Sequence, residues 1–63
     1  MREKMIKKLC KFIHWYNENG EESYYNFYTG YLAAMRDIGM EVEIFRNEIV
    51  WVDGKTYKVE DYK

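Results

Sequence analysis

Proline is absent from this 63-residue chain, and cysteine, histidine and glycine are scarce, at one, one and four residues. Without proline there is no rigid linker and no proline-broken helix, and nothing in the composition divides the chain. Its length suits one ordinary core, so residues 1–63 are expected to form a single compact domain. A lone Cys10 cannot make an internal disulfide. One cysteine and one histidine also fall short of the four ligands that a structural zinc usually takes. The glycines, at 20, 30, 39 and 54, are too scattered for a phosphate-cradling loop. No apolar run approaches the roughly 18 residues of a membrane span, and no apolar segment near Met1 ends in small residues as a signal peptide does. With a single unpaired thiol, these absences predict a cytoplasmic protein.

Charge is present but nearly balanced, with ten bases, eleven acids and a net charge of -1. That balance excludes a generally basic nucleic-acid binder and an acidic nucleic-acid mimic. It also hides an asymmetry. Arg2, Lys4, Lys7, Lys8 and Lys11 face only Glu3 within the first fourteen residues, and the remainder is acidic.

The spacing predicts two helices followed by three strands. From about 3 to 18, Met5, Leu9, Phe12, Ile13 and Tyr16 recur on one helical face, widened by Ile6 and Cys10, with Lys4, Lys7, Lys8 and Lys11 opposite. Gly20 stops this helix. A second, from about 22 to 38, carries the stripe Tyr24, Phe27, Tyr28, Tyr31, Ala34, Met35 and Ile38. Glu21 and Glu22 sit at its positive end, Gly39 terminates it, and Met40 is placed to fold back on its last turn.

Beyond Gly39 the apolar period drops to two, which predicts strands at about 41–46, 49–52 and 55–60. Asp53-Gly54 is a two-residue hairpin turn that pairs Val50 with Tyr57 and Trp51 with Thr56. In the first hairpin, a two-residue loop sets Val42 and Ile44 beside Ile49 and Trp51, leaving both faces mixed. A three-residue loop, Arg46-Asn47-Glu48, sets them beside Val50 and Val52 and makes one face fully apolar, which is the preferred reading. The expected fold is α+β, an antiparallel helical hairpin packed on a three-stranded antiparallel meander (ααβββ).

Chemically active groups are few. Cys10, His14 and Glu18 fall at i, i+4, i+8 on the first helix, but such spacing is weak evidence for a metal or thiol site, and the ordinary reading is a core-margin cysteine beside a partly exposed histidine. Glu21-Glu22, Glu41-Glu43 and Glu60-Asp61 are paired carboxylates at element ends or outward strand positions, where they serve solubility and capping. No catalytic residue, cofactor or metal is assigned.

The surfaces are more informative. With a three-residue loop, the outward sheet face presents Phe45, Ile49 and Trp51 among Glu43, Thr56 and Lys58. Aromatic anchors in a polar rim are typical of protein interfaces. Tyr24, Tyr25, Tyr28 and Tyr31 are too many rings for so small a core, so Tyr25 and Tyr28 join the expected interface. Gly30 and Ala33 permit close approach of another backbone. A small core without a disulfide predicts oligomerisation. The alternative is a nucleic-acid-binding module in which Lys4, Lys7, Lys8 and Lys11 follow the phosphates and Trp15 stacks on a base. As a short chain rich in lysine, glutamate and tyrosine, the protein resembles small accessory proteins of low-GC bacteria and their phages. That resemblance implies a cytoplasmic protein that binds or inhibits a host or defence protein; the residues themselves predict a non-enzymatic module with a second copy (a homodimer) or another protein as partner and no membrane.

Overall fold

The computed structural model describes residues Arg2 to Tyr62. Two helices, α1 (Arg2–Asn19) and α2 (Glu22–Asp37), precede strands β1 (Val42–Phe45), β2 (Ile49–Val52) and β3 (Lys55–Lys58) and a 3-10 turn, Val59–Asp61. The helices pack against an antiparallel sheet of order β1-β2-β3.

Both helix ends follow from glycine. Gly20, at φ +67°, donates its N–H to the Tyr16 carbonyl at 2.7 Å and turns the chain back. At the end of α2, Gly39 (φ +93°) donates to the Arg36 carbonyl and Met40 donates to the Met35 carbonyl, each at 3.0 Å. This paired arrangement satisfies carbonyls that the helix leaves free and folds the following side chain inward. Met40 is accordingly buried beside Met35 in the core.

The three-residue loop is the one that forms. Val42 pairs with Val52 and Ile44 with Val50, while Val50 pairs with Tyr57 and Trp51 with Thr56. Val42, Val50 and Val52 are thereby buried against Ile6, Leu9, Cys10 and Ile13 of α1. The turn at Asp53-Gly54 takes positive φ at both residues, +47° and +92°, whose twist matches that of the flanking strands. Arg46 and Asn47 also take positive φ, +54° and +57°.

Three groups of polar contacts fasten the layers. The Asp53 carboxylate accepts from the Glu41 N–H at 3.0 Å and pairs with Arg2 at the start of α1. Arg36 of α2 reaches the Val42 carbonyl through Nε at 3.2 Å and Nη2 at 2.8 Å. Asn17 of α1 donates to the Asn47 carbonyl at 2.7 Å, and the Tyr28 hydroxyl donates to the Asn47 side chain at 3.4 Å, so both helices hold the first hairpin loop.

Two expectations are corrected. The third strand ends at Lys58 rather than 60, because its partner β2 begins at Ile49, opposite Lys58. One last bond runs from the Val59 N–H to the Glu48 carbonyl, and the chain then turns to bury Val59 near α1. The α2 stripe is also narrower than its spacing implies. Only Tyr28 and Met35 are buried, whereas Phe27, Ala34 and Ile38 are exposed. Phe27 and Ala34 each precede a buried residue by one position, about 100° round the axis, and Ile38 is the C-cap beyond the last turn.

The Glu21 side chain makes no capping bond at the start of α2. Glu21→Ser should supply one and add about 1 kcal/mol of stability, raising Tm by about 4–8 °C in a thermal melt of a domain this size.

Candidate interaction surfaces

Catalytic and metal chemistry find little to work with among the described residues. Cys10 is fully buried in the core, and burial pushes its thiol from 9.0 up to about 11. A thiol held protonated is a poor nucleophile and a poor metal ligand. His14 Nε2 lies 3.1 Å from Glu18 Oε1 in an i, i+4 pair. No three His, Cys, Asp or Glu side chains among the described residues come together as a metal site. The paired carboxylates Glu21-Glu22, Glu41-Glu43 and Glu60-Asp61 are all exposed. Two open clefts stand out among the described residues. One, of about 350 Å³, runs between His14 and Asn17 of α1 and the Glu48, Lys58 and Glu60 side. The other, of about 300 Å³, lies between Lys4 and Lys7 of α1 and the rings of Tyr57 and Tyr62. Each has charged or polar rims and no buried polar group aimed inward.

The outward sheet face carries the expected trio. Phe45 is 53% exposed opposite Ile49 on the neighbouring strand, and Ile49 and Trp51 are half-buried. The tyrosines expected to join them lie elsewhere. Tyr28 is buried, so it offers no surface, because its ring is enclosed by Tyr16 and Tyr25 and its hydroxyl by Asn47. Burial, with the nearby Tyr16 and Tyr25, also raises the Tyr28 pKa above its usual 10.0. Tyr25 is exposed, but its ring packs on Tyr16 and Tyr28 of the helical hairpin.

A larger apolar surface lies on the helical hairpin. Phe12 is the hub of an aromatic cluster, with ring centroids 5.8 Å from Trp15, 5.4 Å from Phe27 and 5.5 Å from Tyr31. Tyr24 extends it, 5.8 Å from Trp15 and 6.3 Å from Phe27. Offset and edge contacts of this kind contribute about 0.5–1.5 kcal/mol each, which explains how the hairpin holds itself together away from the sheet. Yet Phe27 remains 52% exposed and Trp15 37%, and at the far end of α2 Ile38 is 62% exposed. A loose fold is not the cause. The radius of gyration is 10.5 Å, against about 10.6 Å for a compact chain of this length.

Trp15 also closes a row. Lys4, Lys8, Lys11 and Trp15 follow at i, i+4, i+7, i+11 and so share one side of α1. Lys7 stands off this row, and with Lys4 it lines the cleft beside Tyr57 and Tyr62.

Comparison with protein-family models, with curated proteins and with solved structures finds no match for this chain. Phe12, Phe27 and Ile38 were not anticipated as surface residues. For Phe27 a signal was present in the adjacent pairs Tyr24-Tyr25, Phe27-Tyr28 and Ala34-Met35, which spread the apolar residues of α2 over a wider arc than one neighbour covers.

The pKa of Cys10 has a measurable consequence. Between pH 9 and 11 the unfolded chain has lost the thiol proton and the folded chain keeps it, so the unfolded state binds fewer protons and stability falls as pH rises. Tyr28 acts in the same direction above pH 10. Thermal melts across this range should show a steep decline that Cys10→Ala makes shallower.

Proposed function

We propose that the protein is a non-enzymatic protein-interaction module whose main binding surface is the outer face of the helical hairpin. The carrying observation is the aromatic cluster on Phe12, with Phe27 and Trp15 left exposed. Exposed rings set among polar residues and free of internal strain are characteristic of anchors that fill a partner's pockets. The sheet trio Phe45, Ile49 and Trp51 supplies a second, smaller contact. Three strands of four residues span about 13 Å by 15 Å, roughly 200 Å², well short of the about 800 Å² that each partner gives to a standard interface.

A second reading, single-strand nucleic-acid binding, is favoured by one observation. The row Lys4, Lys8, Lys11 and Trp15 sets charge beside an exposed ring, as phosphate-following, base-stacking surfaces do. It predicts an affinity that falls steeply with salt and is lost in Lys8→Glu with Lys11→Glu. An affinity indifferent to salt would rule it out.

For the protein-binding reading, cross-linking and co-purification from the native host should be compared across variants. Phe27→Glu should weaken the recovered complex by about 2 kcal/mol or more, and Trp51→Glu by less. Complexes unchanged by Phe27→Glu would refute the assignment of the helical face.

A further inference from the structure

We infer that the outer helical face is covered by a second copy of this chain, with α1 of each copy lying antiparallel on α2 of the other. This rests on the reading of that face as a protein-binding surface, and names its occupant and geometry.

Size is the first argument. The molecule measures 30 × 20 × 20 Å, so the helical face projects roughly 600 Å². That is of the same order as the about 800 Å² that each partner gives to a standard interface.

Complementarity is the second argument, and it selects the arrangement. A dimer of like copies is isologous, so the face must match itself across a twofold axis. An axis across the helices stacks α1 on α1 and lays one lysine row on the other. An axis parallel to the helices lays α1 on the partner's α2 instead. The outer row of α2 is Asn26, Gly30, Ala33 and Asp37, at the same i, i+4, i+7, i+11 spacing as Lys4, Lys8, Lys11 and Trp15, and all four residues are exposed. Within one chain, the ring contacts of Phe12 with Tyr31 and Trp15 with Tyr24 set the two rows antiparallel, Lys4 toward the Asp37 end. The parallel axis therefore brings Lys4 over Asp37 of the other copy, with the stems of Lys8 and Lys11 over Ala33 and Gly30. Long residues meet small ones, and a base meets an acid.

Gly30 fits this arrangement and nothing in the lone chain requires it. It lies inside α2, and a Cβ built on it would meet no atom within 4 Å. A glycine there forgoes helix stability without any intramolecular return, whereas a second backbone approaching the row makes the missing side chain useful.

The test is sedimentation equilibrium on the full chain from low micromolar to submillimolar concentration, with Gly30→Gln as the principal variant. Glutamine is a good helix former and has room in the lone chain, so the variant should fold at least as well by thermal melt in dilute solution. It should also weaken the dimer by about tenfold or more by blocking close approach. Lys4→Glu should weaken it by about two- to five-fold, and adding Asp37→Lys should restore it. A wild-type chain that stays monomeric throughout overturns the inference. If that monomer still binds a host protein through Phe27, the interaction-module reading survives. If it instead binds a single-stranded oligonucleotide in a salt-dependent way, the face belongs to nucleic acid. A dimer indifferent to Gly30→Gln but dissociated by Trp51→Glu also overturns the inference, moving the contact to the sheet.

Discussion

A mismatch of lengths governs this molecule. Eighteen residues make α1 about 27 Å long, while each strand has four residues and spans about 13 Å. The sheet covers only part of the helical pair, and the rest must be stabilised by contacts between the helices themselves. Rings are suited to that task, because a few of them bury large areas with defined edge-to-face geometry. Phe12, Trp15, Tyr24, Phe27 and Tyr31 on one side, and Tyr16, Tyr25 and Tyr28 on the other, meet the need. The consequence is an outer face that is apolar and only partly covered.

Where the sheet does meet the helices, polar side chains take over at the ends. Arg2 with Asp53 and Asn17 with Asn47 tie the two ends of α1 to the two hairpin turns, Arg36 ties the end of α2 to the Val42 carbonyl at the start of β1, and Tyr28 in the middle of α2 also reaches Asn47. Among the described residues the interior keeps only apolar side chains apart from the Tyr28 hydroxyl, which is bonded to Asn47, and the Cys10 thiol, which stays protonated. The Cys10 thiol is thereby sealed, while His14 pairs with Glu18 at the surface of α1. The remaining distinctive chemistry of the molecule is its surface: one broad aromatic face edged by lysines, and one small aromatic face on the sheet.

Much of the architecture was legible in the residues because it rests on local rules. Helix ends at Gly20 and Gly39, the Asp53-Gly54 turn and the change of apolar period from about 3.6 to 2 act over a few residues each. Even the three-residue first loop was readable, since it alone aligns Val42 and Ile44 with Val50 and Val52. The surface assignments depended on more. Trp51 and Phe45 were placed outward by strand alternation, which is again local. Tyr28 and Phe27 exchanged roles, because a helix with apolar residues over a wide arc does not specify which part of that arc meets its neighbours.

The sequence by itself therefore determined the order and type of the main elements and the register of the sheet. Only the tertiary structure decided how α2 is rotated against α1 and β1, and with it which rings are buried and which face water. The physical reason is that backbone turns and strand alternation are settled between neighbours, whereas helix rotation is settled by competition among large side chains brought together from α1, α2 and the first hairpin loop. That competition buried Tyr28 against Tyr16 and Asn47 and left Phe27 outside.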